Sequence, residues 1–135
     1  MAQVPRVDQI EQSVAISGFT DDKGASGHID LDDKIPAGSL VLCWVAETTT
    51  VFSGGVGNGA ETFLVGTPGE PDAFTLNDPR LLERGTSRDF GDVPKASQEI
   101  GVERTVRLTV TDLNDFGNIS GGALTIKVVF VRTAA

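Results

Sequence analysis

Apolar and polar residues alternate with a period of two in several short stretches of the chain, and β-strands produce this period. The clearest stretch is residues 39–52 (SLVLCWVAETTTVF), a β-branched and aromatic run that follows Pro36 and Gly38. Pro36 fixes φ and Gly38 permits a tight reversal, so a corner leads into the strand. Its first half is apolar on both faces, which predicts a place in the middle of a layered β-structure.

The period of two divides this central strand into two faces. One face would hold Ser39, Val41, Cys43 and Val45, and the other Leu40, Leu42, Trp44 and Ala46. We expect two stacked sheets to enclose Leu42, Trp44, Leu108 and Ile126.

Other stretches predict further strands, at residues 12–19, 27–31, 62–66 and 88–90. Residues 105–111 and 124–131 alternate in the same way, with the turn-forming DLNDFGNISGG between them, and predict an antiparallel hairpin. Residues 80–83 follow Pro79 and predict one helical turn, while most of residues 67–101 is expected to be loop. The sequence therefore predicts an all-β fold.

The N-terminal segment differs from the rest, because residues 1–10 contain Pro5 and show no sustained period. We interpret residues 1–10 as an extended arm that precedes one domain at residues 11–135.

The composition and charge of the chain argue against two classes of partner, nucleic acid and membrane. A formal net charge of −8 argues against binding to nucleic acid, which needs clustered Lys and Arg. The sequence has neither an apolar run of membrane-spanning length nor a secretory signal, so we expect no membrane association and synthesis in a cytoplasm. Cys43 is the single cysteine, expected to act as a small buried hydrophobe.

Candidate chemistry is sparse. His28 is the sole histidine, and with Ser26 and Asp30 it could be drawn as a catalytic arrangement. Neighbours on one strand face are about 6 to 7 Å apart, too far for a nucleophile-to-base hydrogen bond. We therefore predict no catalytic residue and no enzyme.

Acidic residues cluster twice, at residues 21–33 and in DLNDFGN at residues 112–118. Neither group has EF-hand spacing, and turn chemistry accounts for both, with a weak Ca²⁺ site in DLNDFGN as the alternative. The glycine run at residues 54–59 lacks the ending of a phosphate-binding loop. We predict no metal and no cofactor.

Three segments together carry a resemblance to a known class of protein. IPAGSLVLCWVAETTTVFSGG, ETFLVGTPGEPDAFT and the late pair TVRLTV and ALTIKVVFV are similar to small virion proteins of tailed bacteriophages. The matching motifs are the IPAG corner, the Val65-Gly66 turn and Asp72-Ala73-Phe74. The resemblance implies a jelly-roll-like antiparallel β-sandwich that serves as a capsid cement or decoration protein, or as a neck or tail component.

From this resemblance we expect a non-enzymatic protein on the capsid exterior that binds the major capsid protein and associates with itself, as a trimer. Three segments are expected to contact partners: the arm, the glycine-rich loop at residues 54–59 and the loop at residues 67–101. The contact residues expected in the first two are Val4, Val7, Ile10, Gly55, Gly57 and Asn58. The alternative is a neck, tail or fibre component that adheres to host glycans, with Trp44, Phe52, Phe63 and Phe130 as a candidate aromatic platform.

Overall fold

Two antiparallel sheets pack face to face in the computed structural model, which describes residues 6–54, 62–71, 73–75, 80–81, 88–92, 101–111 and 115–132. Within these residues the strands are β1 (Arg6–Ala15), β2 (Thr20–Asp21), β3 (Ser26–Ile35), β4 (Ser39–Gly54), β5 (Thr62–Gly66), β6 (Arg80–Leu81), β7 (Arg88–Asp92), β8 (Arg104–Thr111) and β9 (Ile119–Arg132). The 3-10 turns Ile16–Gly18 and Phe116–Asn118 precede β2 and β9. The predicted all-β sandwich is confirmed.

The strand order defines a jelly roll. The first sheet runs β1-β9-β4-β7 and the second β2-β3-β8-β5-β6. Apart from β3 and β6, each strand lies in the sheet opposite to the strand before it, so the chain repeatedly crosses between the layers. An eight-stranded arrangement of this kind, here with β2 added at one edge, is the double-sheet jelly roll that the resemblance implied.

The inner faces of the two sheets form one hydrophobic core. Strand β8 shows the pattern most regularly, because Val106, Leu108 and Val110 are buried while the residues between them are partly exposed. Strand β9 supplies the facing layer through four buried side chains: Leu124, Ile126, Val128 and Phe130. The alternation seen in the sequence therefore reports the inner face of each sheet.

Trp44 joins the two sheets at the centre of this core. The side chain is 0% exposed, and its indole Nε1–H donates to the Phe74 carbonyl at 3.0 Å. Its ring meets Phe63 of β5 edge to face, with centroids 5.6 Å apart. Burial of the apolar ring is therefore achieved without leaving its polar N–H unpaired.

The predicted faces of β4 are wrong in part, because the register of β4 against β9 shifts between Val41 and Cys43. Val41 and Trp44 are both buried, whereas strict alternation places them on opposite faces. The extra residue of a bulge reverses the side-chain alternation beyond it. Leu42 and Cys43 are consequently half-buried, not enclosed in the core.

The predicted hairpin is also wrong, since β8 lies in the second sheet and β9 in the first. Both strands alternate as expected. Alternation shows which face of a strand is buried, but it does not show to which sheet the strand belongs. The predicted helical turn at residues 80–83 is contradicted where it is described, because Arg80–Leu81 pairs with β5 as strand β6.

The arm predicted at residues 1–10 is corrected for its second half. Residues 6–10 belong to β1, which pairs residue for residue with β9 from Arg6↔Arg132 to Ala15↔Ala123. The edge of β9 supplies hydrogen-bonding partners that override the irregular side-chain pattern. Residues 1–5 lie outside the described residues.

Gly27 gives a test of the core's tolerance. A Cβ added at Gly27 would lie 2.5 Å from the Phe116 ring, which is itself buried. Overpacking of this kind typically costs about 1–3 kcal/mol. We expect Gly27→Ala to lower the free energy of unfolding by about that amount in urea titrations, whereas Gly24→Ala, with nothing within 4 Å of its Cβ, should change it little. Equal stabilities for the two variants would contradict this packing.

Candidate contact surfaces

The termini of several strands meet at one end of the sandwich. Arg6 opposes Arg132, and Arg132 opposes Ser39 on its other side, so the start of β1, the end of β9 and the start of β4 meet at one end. The Arg104 guanidinium at the start of β8 donates to the Ser39 carbonyl and joins the second sheet to this end. We call this end, defined by Arg6, Ser39, Arg104 and Arg132, the corner end.

Of the six predicted partner-contact residues, the structure describes Val7 and Ile10. Val7 lies near the corner end and is 65% exposed, one of two large exposed hydrophobic residues in the described part of the chain. Residues 55–58 follow Gly54, which pairs with Ile119 at the opposite end. Gly55, Gly57 and Asn58, like Val4, lie outside the described residues.

The prediction that Ile10 contacts a partner is wrong. Its side chain is 4% exposed and belongs to the core, because it lies on the inner face of β1. Ile10 therefore stabilises the sandwich and does not offer a surface to a partner.

A cavity of about 490 Å³ lies beside the corner end. Its walls come from the turn after β5 and from the start of β8, and they include Phe74, Val102 and Arg104. Val102 is the second exposed hydrophobic residue, at 50%. The sequence predicted partner contacts from the loop at residues 67–101, and the first part of that segment lines this cavity. It did not predict Val102, which lies just beyond the loop.

The outer faces of the two sheets also differ in chemistry. On the first sheet, Leu40 lies beside Val131, and Cys43 beside Val129, giving a half-buried apolar area towards the corner end. On the second sheet the outward residues of β8 are polar and partly exposed: Thr105, Arg107, Thr109 and Thr111. The apolar and polar residues of these strands are visible in the sequence. The sequence does not show which strands pair, and the pairing places these residues side by side on one face.

The three residues of the hypothetical catalytic arrangement bind different partners. The Ser26 hydroxyl lies 3.0 Å from the Thr111 hydroxyl, and His28 Nδ1 lies 2.8 Å from Asp22 Oδ1. Asp30 accepts two hydrogen bonds from Arg107. The pairings tie the second sheet together and do not bring Ser26, His28 and Asp30 to one reacting centre.

Turn chemistry is confirmed for Asp21 and Asp115, whereas Asp30, Asp32 and Asp33 lie in strand β3. Asp21 Oδ1 accepts from the Lys23 N–H at 2.7 Å, which stabilises a turn in which Lys23 has a φ of 64°. Asp115 Oδ1 accepts from the Gly117 N–H at 3.0 Å and caps the 3-10 turn before β9. Within the described ranges, no three His, Cys, Asp or Glu side chains are grouped as metal ligands would be.

The aromatic platform is contradicted for three of its four members. Trp44, Phe63 and Phe130 are all buried in the core. The side chain of Phe52 lies outside the described residues. Trp44, Phe63 and Phe130 lie on the inner faces of their strands and belong to the hydrophobic core.

Asp30 and Arg107 form the best-defined ion pair on the second sheet, with Arg107 Nε 2.7 Å and Nη2 3.0 Å from the two carboxylate oxygens. The hydrogen bonds from Arg107 lower the pKa of Asp30, and the same contact raises the pKa of Arg107. The pair lies just before the irregular register between Asp30 and Lys34, so it fixes β3 to β8 where the ladder is interrupted.

The solved structures that share this fold include two chains from phage capsids. One belongs to the capsid asymmetric unit of cyanophage Pam1, with a TM-score of 0.58 and 17% sequence identity over 95% of this chain and 86% of that one. The other belongs to the capsid of Ralstonia phage GP4, with a TM-score of 0.56 and 14% identity over 100% of this chain and 92% of that one. At these identities the likeness establishes the fold.

Sequence comparisons add no relative. No protein-family model matches the chain, and no curated protein matches it. Among the helices of the described residues, none is long and apolar enough to cross a membrane.

The Asp30–Arg107 pair predicts a specific dependence on pH. Because the pKa of Asp30 is lowered in the folded state, the pair stabilises the fold above the ordinary carboxyl pKa of about 4 and loses this contribution as pH falls through the lowered folded value. The two side chains are 39% and 23% exposed, so the contribution is about 1 kcal/mol or less.

We expect Asp30→Asn to destabilise the protein at pH 7 and to differ less from the wild type at pH 3, as measured by urea unfolding. Asp33→Asn, at an exposed position of the same strand, serves as the control. A deficit for Asp30→Asn that is the same at both pH values would contradict the assigned role of the pair.

Proposed function

We propose that this chain is a virion structural protein of a tailed bacteriophage, a cement or decoration protein that binds the major capsid protein on the outside of the head and stabilises the shell. The observation that carries the proposal is the shared fold, which extends over nearly the whole length of this chain and of the two phage capsid chains.

The distribution of chemistry supports a non-enzymatic role. His28, Asp30 and Arg107 are held in pairs that stabilise the second sheet, and the inner faces are filled by apolar side chains. A jelly roll of this kind offers its ends, edges and outer faces to partners while the core keeps its shape.

We further propose that the corner end is the side that meets the shell. Val7, Val102 and the cavity lie there, and residues 1–5 precede β1 at the same end. Ordering a residue's backbone costs about 1–2 kcal/mol. Val7 is already held in β1, so a contact made through its side chain requires no further ordering of its backbone.

Partner contacts through Gly55, Gly57 and Asn58 stay a prediction. Self-association is part of the proposed role, and the trimer expected from the sequence stays a prediction.

The experiment measures occupancy on purified particles of the phage that encodes this chain. Val102→Asp and Val7→Asp should each reduce the copy number per particle, determined from stained gels against the major capsid protein. Removal of residues 1–5 should reduce the copy number further, because in this proposal these residues add contacts at the same end. Truncation must stop before Arg6, because a deletion through residue 10 would remove half of β1.

Thr109→Asp is the matched control, since it adds the same charge on the polar outer face of β8. It should leave occupancy unchanged while all variants keep the wild-type circular-dichroism spectrum. Full occupancy for both valine variants and for the truncated chain would refute the corner end as the binding side. Location of the wild-type chain in the tail or fibre would refute the cement role in favour of the adhesion alternative.

A further inference from the structure

The four edges of the two sheets are unequal. In the second sheet, β2 and β6 form the edges and have 2 residues each. In the first sheet, β7 has 5 residues and β1 has 10. Short edge strands protect a sheet from pairing with other chains, and β1 lacks this protection.

Strand β1 is also unusually regular. Its ten residues pair with β9 without a register shift, so no bulge twists the edge away. The strand contains neither proline nor lysine, which commonly interrupt such an edge. Its outward side chains are all exposed: Val7, Gln9, Glu11, Ser13 and Ala15. Within the described residues, β9 is the one strand that pairs with β1.

One hydrogen bond shows which backbone groups face the open edge. The Gln9 N–H donates to the side chain of Asp8 at 2.9 Å, which marks it as directed away from β9. In an antiparallel ladder alternate residues share a direction. The N–H and C=O groups of Val7, Glu11 and Ser13 therefore face the same open edge as those of Gln9.

We propose that β1 pairs antiparallel with β1 of a second copy about a twofold axis at Ile10, joining the first sheets of two molecules into one continuous sheet. In this register Gln9 lies opposite Glu11 and Asp8 opposite Gln12, each twice by symmetry. Every carboxylate then faces an amide that can donate to it, and no two charged side chains are opposed.

Neighbouring registers are worse for this sequence. An axis at Glu11 sets two Glu11 carboxylates opposite each other, and an axis at Gln9 sets Val7 opposite Glu11. Residues 8–12 have the order acid, amide, isoleucine, acid, amide, which is self-complementary about Ile10 because each acid lies opposite an amide. This order therefore selects the axis at Ile10. A second copy is the occupant that this self-complementarity identifies, because a foreign strand would have no reason to match it.

The contact is isologous and closes as a dimer. It differs from the trimer expected from the sequence, which requires a head-to-tail contact. The inference concerns the isolated chain and does not depend on the capsid role, so its failure would leave that proposal standing.

Sedimentation equilibrium of the full chain over a range of concentrations in 0.15 M salt tests the proposal. We expect the mass to rise from that of the 14.2 kDa chain to twice that value. Gln9→Glu sets two pairs of carboxylates opposite each other and should weaken the dimer by about three- to thirtyfold, whereas Gln9→Lys should strengthen it by a similar factor. Both changes lie on an exposed position, so neither disturbs the core.

Thr109→Glu and Thr109→Lys, on the outer face of β8, make the same changes in net charge and should leave the dissociation constant within about twofold. Amide exchange measured by NMR gives the register directly. On dimerisation, the N–H groups of Val7, Gln9, Glu11 and Ser13 should become protected, while those of Ile10 and Gln12 are already protected by β9.

Three outcomes would overturn the proposal. They are a chain that stays monomeric at every concentration, a mass three times that of the monomer, and a dimer whose affinity responds equally to the Gln9 and Thr109 variants. Protection of β7 amides in place of β1 amides would likewise assign the contact to the other edge.

Discussion

The packing of Trp44 between the two sheets is the interaction on which the rest of the sandwich depends. Its ring closes against Phe63 of the opposite sheet, and its N–H satisfies the Phe74 carbonyl in the turn after β5. Leaving a buried polar group unpaired costs more than a hydrogen bond contributes, so this bond ties the ring to a turn that backbone hydrogen bonds such as Phe74 N–H to the Val65 carbonyl also hold in place. The wall of the cavity beside the corner end includes Phe74 and therefore depends on Trp44.

The sequence predicts individual strands well because the alternation of buried and exposed positions is local. It does not predict which sheet a strand joins, since a residue such as Leu108 carries the same apolar signal in either sheet. The hairpin of β8 and β9 was wrong for this reason. The bulge after Val41 is likewise invisible, because it depends on the partner strand, and one extra residue was enough to move Leu42 out of the core.

The candidate surfaces follow the same rule. Val7 was predicted as a contact residue from its place in an irregular apolar segment, and it is exposed. Ile10 belonged to the same segment and is buried, because strand formation gives the two residues opposite sides of β1. Val102 had no signal in the sequence. Its exposure results from β8 starting beside the turn after β5, a contact between segments far apart in the chain.

Charge decides which surfaces can serve association. With a net charge of −8, two copies of the chain repel each other. At physiological salt, however, the repulsion between charges more than about 8 Å apart is largely screened. Contact then depends on local charges. On and beside β1, Glu11 pairs with Lys127 at 3.4 Å and Asp8 with Arg132 at 3.8 Å, so this margin of the first sheet is nearly neutral. An acidic chain can therefore remain soluble while keeping one edge on which a like-charged copy can dock, because the excess negative charge lies elsewhere on its surface.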